Sequence, residues 1–246
     1  MLKPIIYALQ TGIIVLWVIA STIVIGTLVI IVSFFSRTGN GPHLLARFWA
    51  NGILWVSRVK ITVTGAQNLN PTRSYIYMPN HQSNADIPLL LGRLPVQFRW
   101  LAKAELFKIP LFGRAMRGVG YISIDRSNRK SAFASLERAA RTIRDGTSVL
   151  IFPEGTRSRD GRILPFKKGG FVLAVDSGVP IVPVIIRGTR DIIPKGRFMI
   201  RPAPVTMEIL EPVATADYTR KTKDALLERI RAILVDSLEN DRQEVA

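Results

Sequence analysis

Between Lys3 and Arg37 the chain has no charged side chain, and the run Ile5–Phe35 consists mostly of Ile, Val, Leu, Ala and Thr. No other feature limits so strongly what the chain can fold into. About 20 apolar residues suffice to cross the hydrocarbon of a bilayer, and this run is longer. The surplus fits a tilted span, an interfacial extension, or two half-helices bent near Gly12 or Gly26. A secretory signal peptide with Lys3 as its basic end is the competing reading. Signal cores run only about 7–15 residues, whereas this run continues past any small-residue cleavage site. Residues 1–36 are therefore expected to form an uncleaved membrane anchor.

The charge distribution extends that reading. Formal net charge is +16, the first acidic residue is Asp86, and Arg37, Arg47, Arg58, Lys60 and Arg73 precede it unopposed. Cations so placed suit an anionic lipid surface, each nearby one contributing about 1 kcal/mol. They are not gathered in a recognition helix, so membrane lipid is the expected partner and nucleic acid is not. Cations just after the anchor predict a main domain facing the cytoplasm, on the cytoplasmic (inner) membrane. Residues 37–60 are expected to form an interfacial amphipathic helix. Leu45, Phe48, Trp49, Gly52, Trp55, Val56 and Val59 recur at helical spacing, with Arg47, Asn51 and Arg58 opposite. An ordinary core-facing helix fits the same period.

From residue 61 short β-rich runs alternate with helical ones. Strands are expected at 61–64, 74–79, 97–102, 120–125, 148–152 and 180–186, and helices at 84–92, 105–116, 130–144 and 169–177. A hairpin-like pair around Pro202–Pro204 and a helix over 217–239 follow. The implied class is α/β, with a mixed, largely parallel sheet covered by helices over residues 61–246 and an N-terminal membrane-anchoring helical segment.

Chemistry has few places to reside. The chain has no cysteine and two histidines, which removes thiol catalysis, disulfides and cysteine metal sites. His43 has no carboxylate within forty residues; His81 ends an apolar run and is followed by Asp86. A histidine whose second ring nitrogen is held by a carboxylate is the base-plus-orienter half of a catalytic triad. On a continuous helix, residues five apart do not face each other. The pair can meet only if His81 lies in a turn and Asp86 in the first helical turn. Ser83-x-x-Asp86 and Pro88 favour a helix start there, although the same pattern fits an Asp that merely caps the helix. A second segment, Phe152-Pro153-Glu154-Gly155-Thr156-Arg157-Ser158, follows an expected strand, and a third strand ends in Asp125-Arg126. Beyond strand ends is where open α/β sheets bind ligands. Gly155 lets backbone approach closely, Arg157 offers a planar fork to phosphate, and Thr156 adds a donor. No Gly-x-Ser-x-Gly elbow and no His-Glu-x-x-His sequence occurs, so neither a protein nucleophile nor a metal is expected.

In order, Asn80-His81-x4-Asp86, Ile124-Asp125-Arg126, Phe152 to Ser158 and Val179-Pro180-Ile181-Val182-Pro183-Val184 resemble the four blocks of the glycerolipid acyltransferase family, in particular 1-acyl-sn-glycerol-3-phosphate acyltransferases of the PlsC type. Ala102-Lys103-Ala104-Glu105-Leu106 is similar to a further segment of that family. The resemblance implies that His81 is the catalytic base and Asp86 its partner. It also implies that Lys103, Arg126 and the turn Glu154, Gly155, Thr156 and Arg157 bind the acceptor's phosphate. The implied reaction moves an acyl group from an acyl carrier protein or coenzyme A thioester, as co-substrate and without a cofactor, to the sn-2 hydroxyl of lysophosphatidate. The same blocks serve glycerol-3-phosphate and other lyso-lipids, such as lyso-ornithine lipid. A non-catalytic protein binding anionic lipid is the remote alternative. Backbone N–H groups at the start of the 84–92 helix are the expected oxyanion donors.

Overall fold

The computed structural model describes residues 2–125 and 128–244. Seven strands form one sheet: β1 (Ile61–Thr64), β2 (Ile76–Pro79), β3 (Phe98–Lys103), β4 (Ile122–Ile124), β5 (Ser148–Leu150), β6 (Ile181–Arg187) and β7 (Val205–Ile209). Their order is β1-β7-β6-β2-β5-β3-β4. All neighbours are parallel except β6 and β7, which pair antiparallel with Val184 opposite Ile209. The expected mixed, largely parallel sheet is thus observed. The pair expected at Pro202–Pro204 is not a tight hairpin, because a short helix and a loop separate its two strands.

The central strands are apolar on both faces because helices cover both, which is why they read as continuous rather than alternating runs. Helices α5 (Arg129–Arg144), α6 (Gly169–Ser177) and α8 (Lys223–Glu244) cover one face, where Phe171, Leu173, Ile230 and Leu234 meet the sheet. The other face packs Tyr77, Phe98, Val184 and Met207 against α2 (Asn40–Val56) and α3 (Asp86–Arg93). The helix expected over 105–116 is split. A 3-10 turn covers Ala104–Lys108, Pro110 interrupts, and α4 (Phe112–Gly118) starts after Leu111 takes φ 58°. Proline removes an N–H and biases its predecessor away from the helical region, so a continuous helix cannot form there.

Helix α1 (Leu2–Ser33) is one continuous helix long and apolar enough to cross a membrane, and its apolar window is largely exposed. It also lies lengthwise on the rest of the protein. Thr11 Oγ1 accepts from Ile200 N–H at 2.9 Å, and Thr22 Oγ1 from Trp49 Nε1 at 3.1 Å. A methyl group added at Gly52 would collide with Trp17, and one at Gly118 with Ser33. Ile14 is fully buried in the domain core. The turn after α1 is pinned by buried Arg99 of β3, which donates to Thr38 carbonyl at 2.6 Å and to Asn40 Oδ1 at 2.8 Å.

Helix α2 splits the expected apolar stripe: Trp49 and Val56 pack on the domain core, beside buried Ala50 and Leu54, while Phe48 and Trp55 face outward. Arg47 and Asn51 point toward the protein, donating to the carbonyls of Val96 and Gly92, while Leu44, Phe48 and Trp55 face outward. Leu44 is 56 %, Phe48 69 % and Trp55 79 % exposed. Apolar side chains of α2 therefore meet both the domain and the outside, a division that a 3.6-residue period alone does not assign. Together α1 and α2 leave many large apolar side chains exposed, Ile5, Leu9, Leu16, Phe48 and Trp55 among them, the kind of surface that marks a membrane or protein contact.

Candidate active site

Strand β2 ends at Pro79, and the next residues form a turn held from several directions. The buried Asn80 side chain pairs with both backbone groups of Ile186, accepting at 2.7 Å and donating at 2.9 Å. Ser158 N–H donates to His81 carbonyl at 2.8 Å, and Glu154 Oε1 accepts His81 N–H at 2.7 Å. With the backbone so fixed, His81 Nδ1 lies 2.7 Å from Asp86 Oδ2. That oxygen also accepts the N–H groups of Gln82 at 2.7 Å and Ser83 at 3.0 Å. Asp86 is fully buried, and His81 stacks on Phe152 with centroids 3.8 Å apart.

One carboxylate oxygen therefore does two jobs that the sequence left as alternatives. It satisfies backbone donors ahead of α3 and fixes the imidazole. With Nδ1–H given to Asp86, Nε2 carries the free lone pair, the tautomer a general base needs. His43, the other histidine, is buried between Phe98 and Tyr121, and its Nε2 has no hydrogen-bond partner among the described residues. Burial, helped by Arg99 and Arg47, pushes its pKa down to about 3.

His81 lines a cavity of about 450 Å³. Its inner wall is apolar: Thr22, Ile25, Gly26 and Val29 of α1, Trp49 of α2, and Ala115 and Met116 of α4. Lys103, Gly155 and Arg157 share the cavity with His81. They reach it because β2, β3 and β5 are neighbours whose C-terminal ends lie side by side. Gly155 takes φ 71°, a left-handed conformation at little cost only for glycine. The arrangement offers a base, two cations and an oily slot, which suits a substrate with a reactive hydroxyl, an anionic head and a hydrocarbon tail.

Other sequence-derived candidates are placed differently. Glu154 does not face the cavity. It is 2 % exposed, with Oε1 on His81 N–H and Oε2 accepting Leu164 N–H at 2.9 Å. Burial pushes its pKa up to about 7 against the opposing pull of those two hydrogen bonds. Both carboxylate oxygens are thus turned to backbone N–H groups, so that Glu154 braces the histidine turn from outside the cavity. Thr156 is exposed outside the cavity lining, with its hydroxyl 3.5 Å from Lys195 Nζ. Arg126 lies outside the described residues. Of the expected oxyanion donors at the start of the 84–92 helix, Ala85 N–H goes to Ser83 Oγ, Asp86 N–H to Ser83 carbonyl and Ile87 N–H to Asn84 carbonyl, while Asn84 itself lines the cavity.

Sequence reasoning missed two contributors. Lys195 reaches back to donate to Arg157 carbonyl at 2.6 Å. Phe152, flat under His81, is in turn stacked on Trp100. An aromatic just after a strand and beside a Gly-rich turn was the only signal for the second; Lys195 had none.

Residues 60–187 match the family model described as acyltransferase. A 1-acyl-sn-glycerol-3-phosphate acyltransferase of Limnanthes douglasii is 38 % identical over 187 residues, covering 76 % of this chain and 66 % of that protein. The human 1-acyl-sn-glycerol-3-phosphate acyltransferase alpha is 33 % identical over 180 residues, 73 % of this chain and 64 % of that protein. The chain thus spans just under two thirds of the length of these relatives. The crystal structure of the 1-acyl-sn-glycerophosphate (LPA) acyltransferase PlsC from Thermotoga maritima superimposes with a TM-score of 0.79 at 30 % identity, covering 96 % of this chain and 98 % of that one.

Proposed function

The chain belongs to the acyltransferase family, and from that premise we propose that it is a membrane-bound O-acyltransferase converting lysophosphatidate to phosphatidate with an acyl thioester as donor. The observation that carries the reading is a carboxylate-held histidine on an apolar cavity that also presents Lys103 and Arg157. His81 Nε2 takes the proton of the acceptor's sn-2 hydroxyl as that oxygen attacks the thioester carbonyl. The C–O bond forms, the C–S bond breaks, and the departing thiolate takes the proton back from His81. Asp86 stabilises the transient imidazolium across 2.7 Å. The acyl chain occupies the cavity behind His81, and Lys103 and Arg157 meet the phosphate. A phosphate with two cations is recognised more strongly than a zwitterionic head, which favours lysophosphatidate over a lyso-ornithine lipid.

The membrane part of the proposal rests on α1 and the outward face of α2. A helix packed along its length on the domain, with its other side apolar, fits a helix lodged in one leaflet better than a perpendicular span. The domain then sits on the cytoplasmic side, as the cations near residues 37–60 favour.

Thiol release from acyl-coenzyme A and from acyl carrier protein tests the whole reading across lysophosphatidate, glycerol-3-phosphate and lyso-ornithine lipid. The chain's own lack of cysteine removes background from a thiol reagent. Selective release with lysophosphatidate is expected. Equal turnover of a phosphate-free acceptor would remove the role given to Lys103 and Arg157.

A further inference from the structure

The loop from Ile192 to Arg201 leaves the sheet after α7 (Thr189–Ile192) and returns before β7. Its tip is Phe198, 92 % exposed, the most exposed large apolar side chain among the described residues. Leaving such a ring in water forfeits the stabilisation burial gives. The exposure is not slack in the chain. Arg201 N–H closes the loop on Ile192 carbonyl at 3.0 Å, and Arg197 N–H closes an inner turn on Pro194 carbonyl at 3.0 Å. Gly196 sits within that turn at φ 85°, as the third position of a type II turn requires. The loop holds Phe198 out.

Both ends of this loop are tied to parts of the molecule already given a role. Toward α1, Ile200 N–H donates to Thr11 Oγ1, and the Arg201 guanidinium lies 5.7 Å from the centre of the Tyr7 ring. Toward the active site, Ser83 Oγ donates to Ile193 carbonyl at 2.8 Å, and Lys195 Nζ donates to Arg157 carbonyl at 2.6 Å. Three cations, Lys195, Arg197 and Arg201, belong to the same loop. An extruded aromatic side chain in a loop carrying three cations, tied to an exposed apolar helix, is the composition of a segment resting at the headgroup level of an anionic leaflet.

We infer that the 192–201 loop is a second membrane-inserting element whose partner is a bilayer containing anionic phospholipid, so that Arg157 is held at headgroup depth. The inference rests on the proposed membrane attachment of α1. It adds that the leaflet is gripped at a point more than 180 residues away in sequence, directly beside the turn that carries Arg157. An anionic acceptor then reaches Arg157 by lateral movement, without leaving the leaflet.

Because the chain has no cysteine, Phe198→Cys gives a unique thiol for an environment-sensitive fluorophore. Leu16→Cys on exposed α1 and Glu137→Cys on the far helix α5 serve as references in the full chain. Each labelled protein is reconstituted with phosphatidylcholine–phosphatidylglycerol vesicles, with and without nitroxide lipid. The expected result is blue-shifted emission quenched by nitroxide lipid at positions 198 and 16, with position 137 water-like. Quenching at 16 with a water-like label at 198 would overturn the inference and leave the attachment of α1 standing. Water-like labels at both would overturn both. A blue-shifted but unquenched label at 198 would assign the tip to a protein contact and equally overturn it.

Discussion

Asp86→Asn is the sharpest test of the catalytic pair, and its size follows from what Asp86 Oδ2 touches. That oxygen accepts three hydrogens, from His81 Nδ1, Gln82 N–H and Ser83 N–H, whereas Oδ1 is buried without a hydrogen-bond partner among the described residues. An asparagine placing its NH₂ at the Oδ2 position would set two donors against two backbone donors. The favoured orientation therefore keeps the amide oxygen there and preserves the His81 tautomer. The serine-protease precedent, about 10⁴-fold for a wrongly held tautomer, does not transfer. What is lost is the negative charge facing the imidazolium. A charge-assisted hydrogen bond is worth about 1.5–3 kcal/mol, and unit charges about 4 Å apart at an effective dielectric of 20 interact by about 4 kcal/mol. Asp86→Asn should thus lower kcat/KM by about 10- to 10³-fold. His81→Ala should lose about 10²–10⁴-fold. The assay is thiol release at saturating acyl donor, with folding checked by circular dichroism. Near-normal turnover in folded Asp86→Asn would return Asp86 to a capping role. A loss beyond about 10⁴-fold would show that the amide flips despite the two backbone donors.

Arg157→Lys keeps the charge but loses the two-point fork, so use of a phosphorylated acceptor should fall about tenfold or more, with the donor's KM little changed. A selective effect on the donor would place the phosphate elsewhere. Glu154 has a folded pKa of about 7, above its ordinary 4.5, so the fold holds extra proton between these values. Its contribution to stability is full below about pH 4.5 and is lost as pH rises through 7. Buried His43, shifted the other way, loses its contribution as pH falls below its ordinary 6.5. The difference in unfolding free energy between wild type and Glu154→Gln isolates the Glu154 slope; a flat difference across pH 4.5–7 would refute it. Glu154→Gln should also cost about 1–3 kcal/mol, because a buried backbone N–H of His81 or Leu164 would face an NH₂. Removing residues 1–36 should abolish activity even in detergent, since α1 supplies Thr22, Ile25, Gly26 and Val29 to the cavity wall; an active truncated domain would contradict that.

Local chemistry was legible from the residues themselves. An uncharged run of this length has to avoid water, continuous apolar runs between turns make doubly covered strands, and His81 and Asp86 meet only across a strand-to-helix turn, which the structure contains. These follow because each depends on neighbours in the chain. Tertiary structure decided the rest. Only packing shows that α2 seats Trp49 and Val56 on the domain and turns Phe48 and Trp55 outward, since a period of 3.6 gives faces and no address for either. Only the neighbouring placement of β2, β3 and β5 brings Lys103 and Arg157 to the cavity of His81, and only α1 lying along the domain gives that cavity its wall. Glu154 looked like a ligand because it stands in a phosphate-like turn. It became a brace because the two N–H groups needing a carboxylate, those of His81 and Leu164, come from segments 73 and 10 residues away. Lys195, 38 residues from the carbonyl it holds, carries no local signature at all.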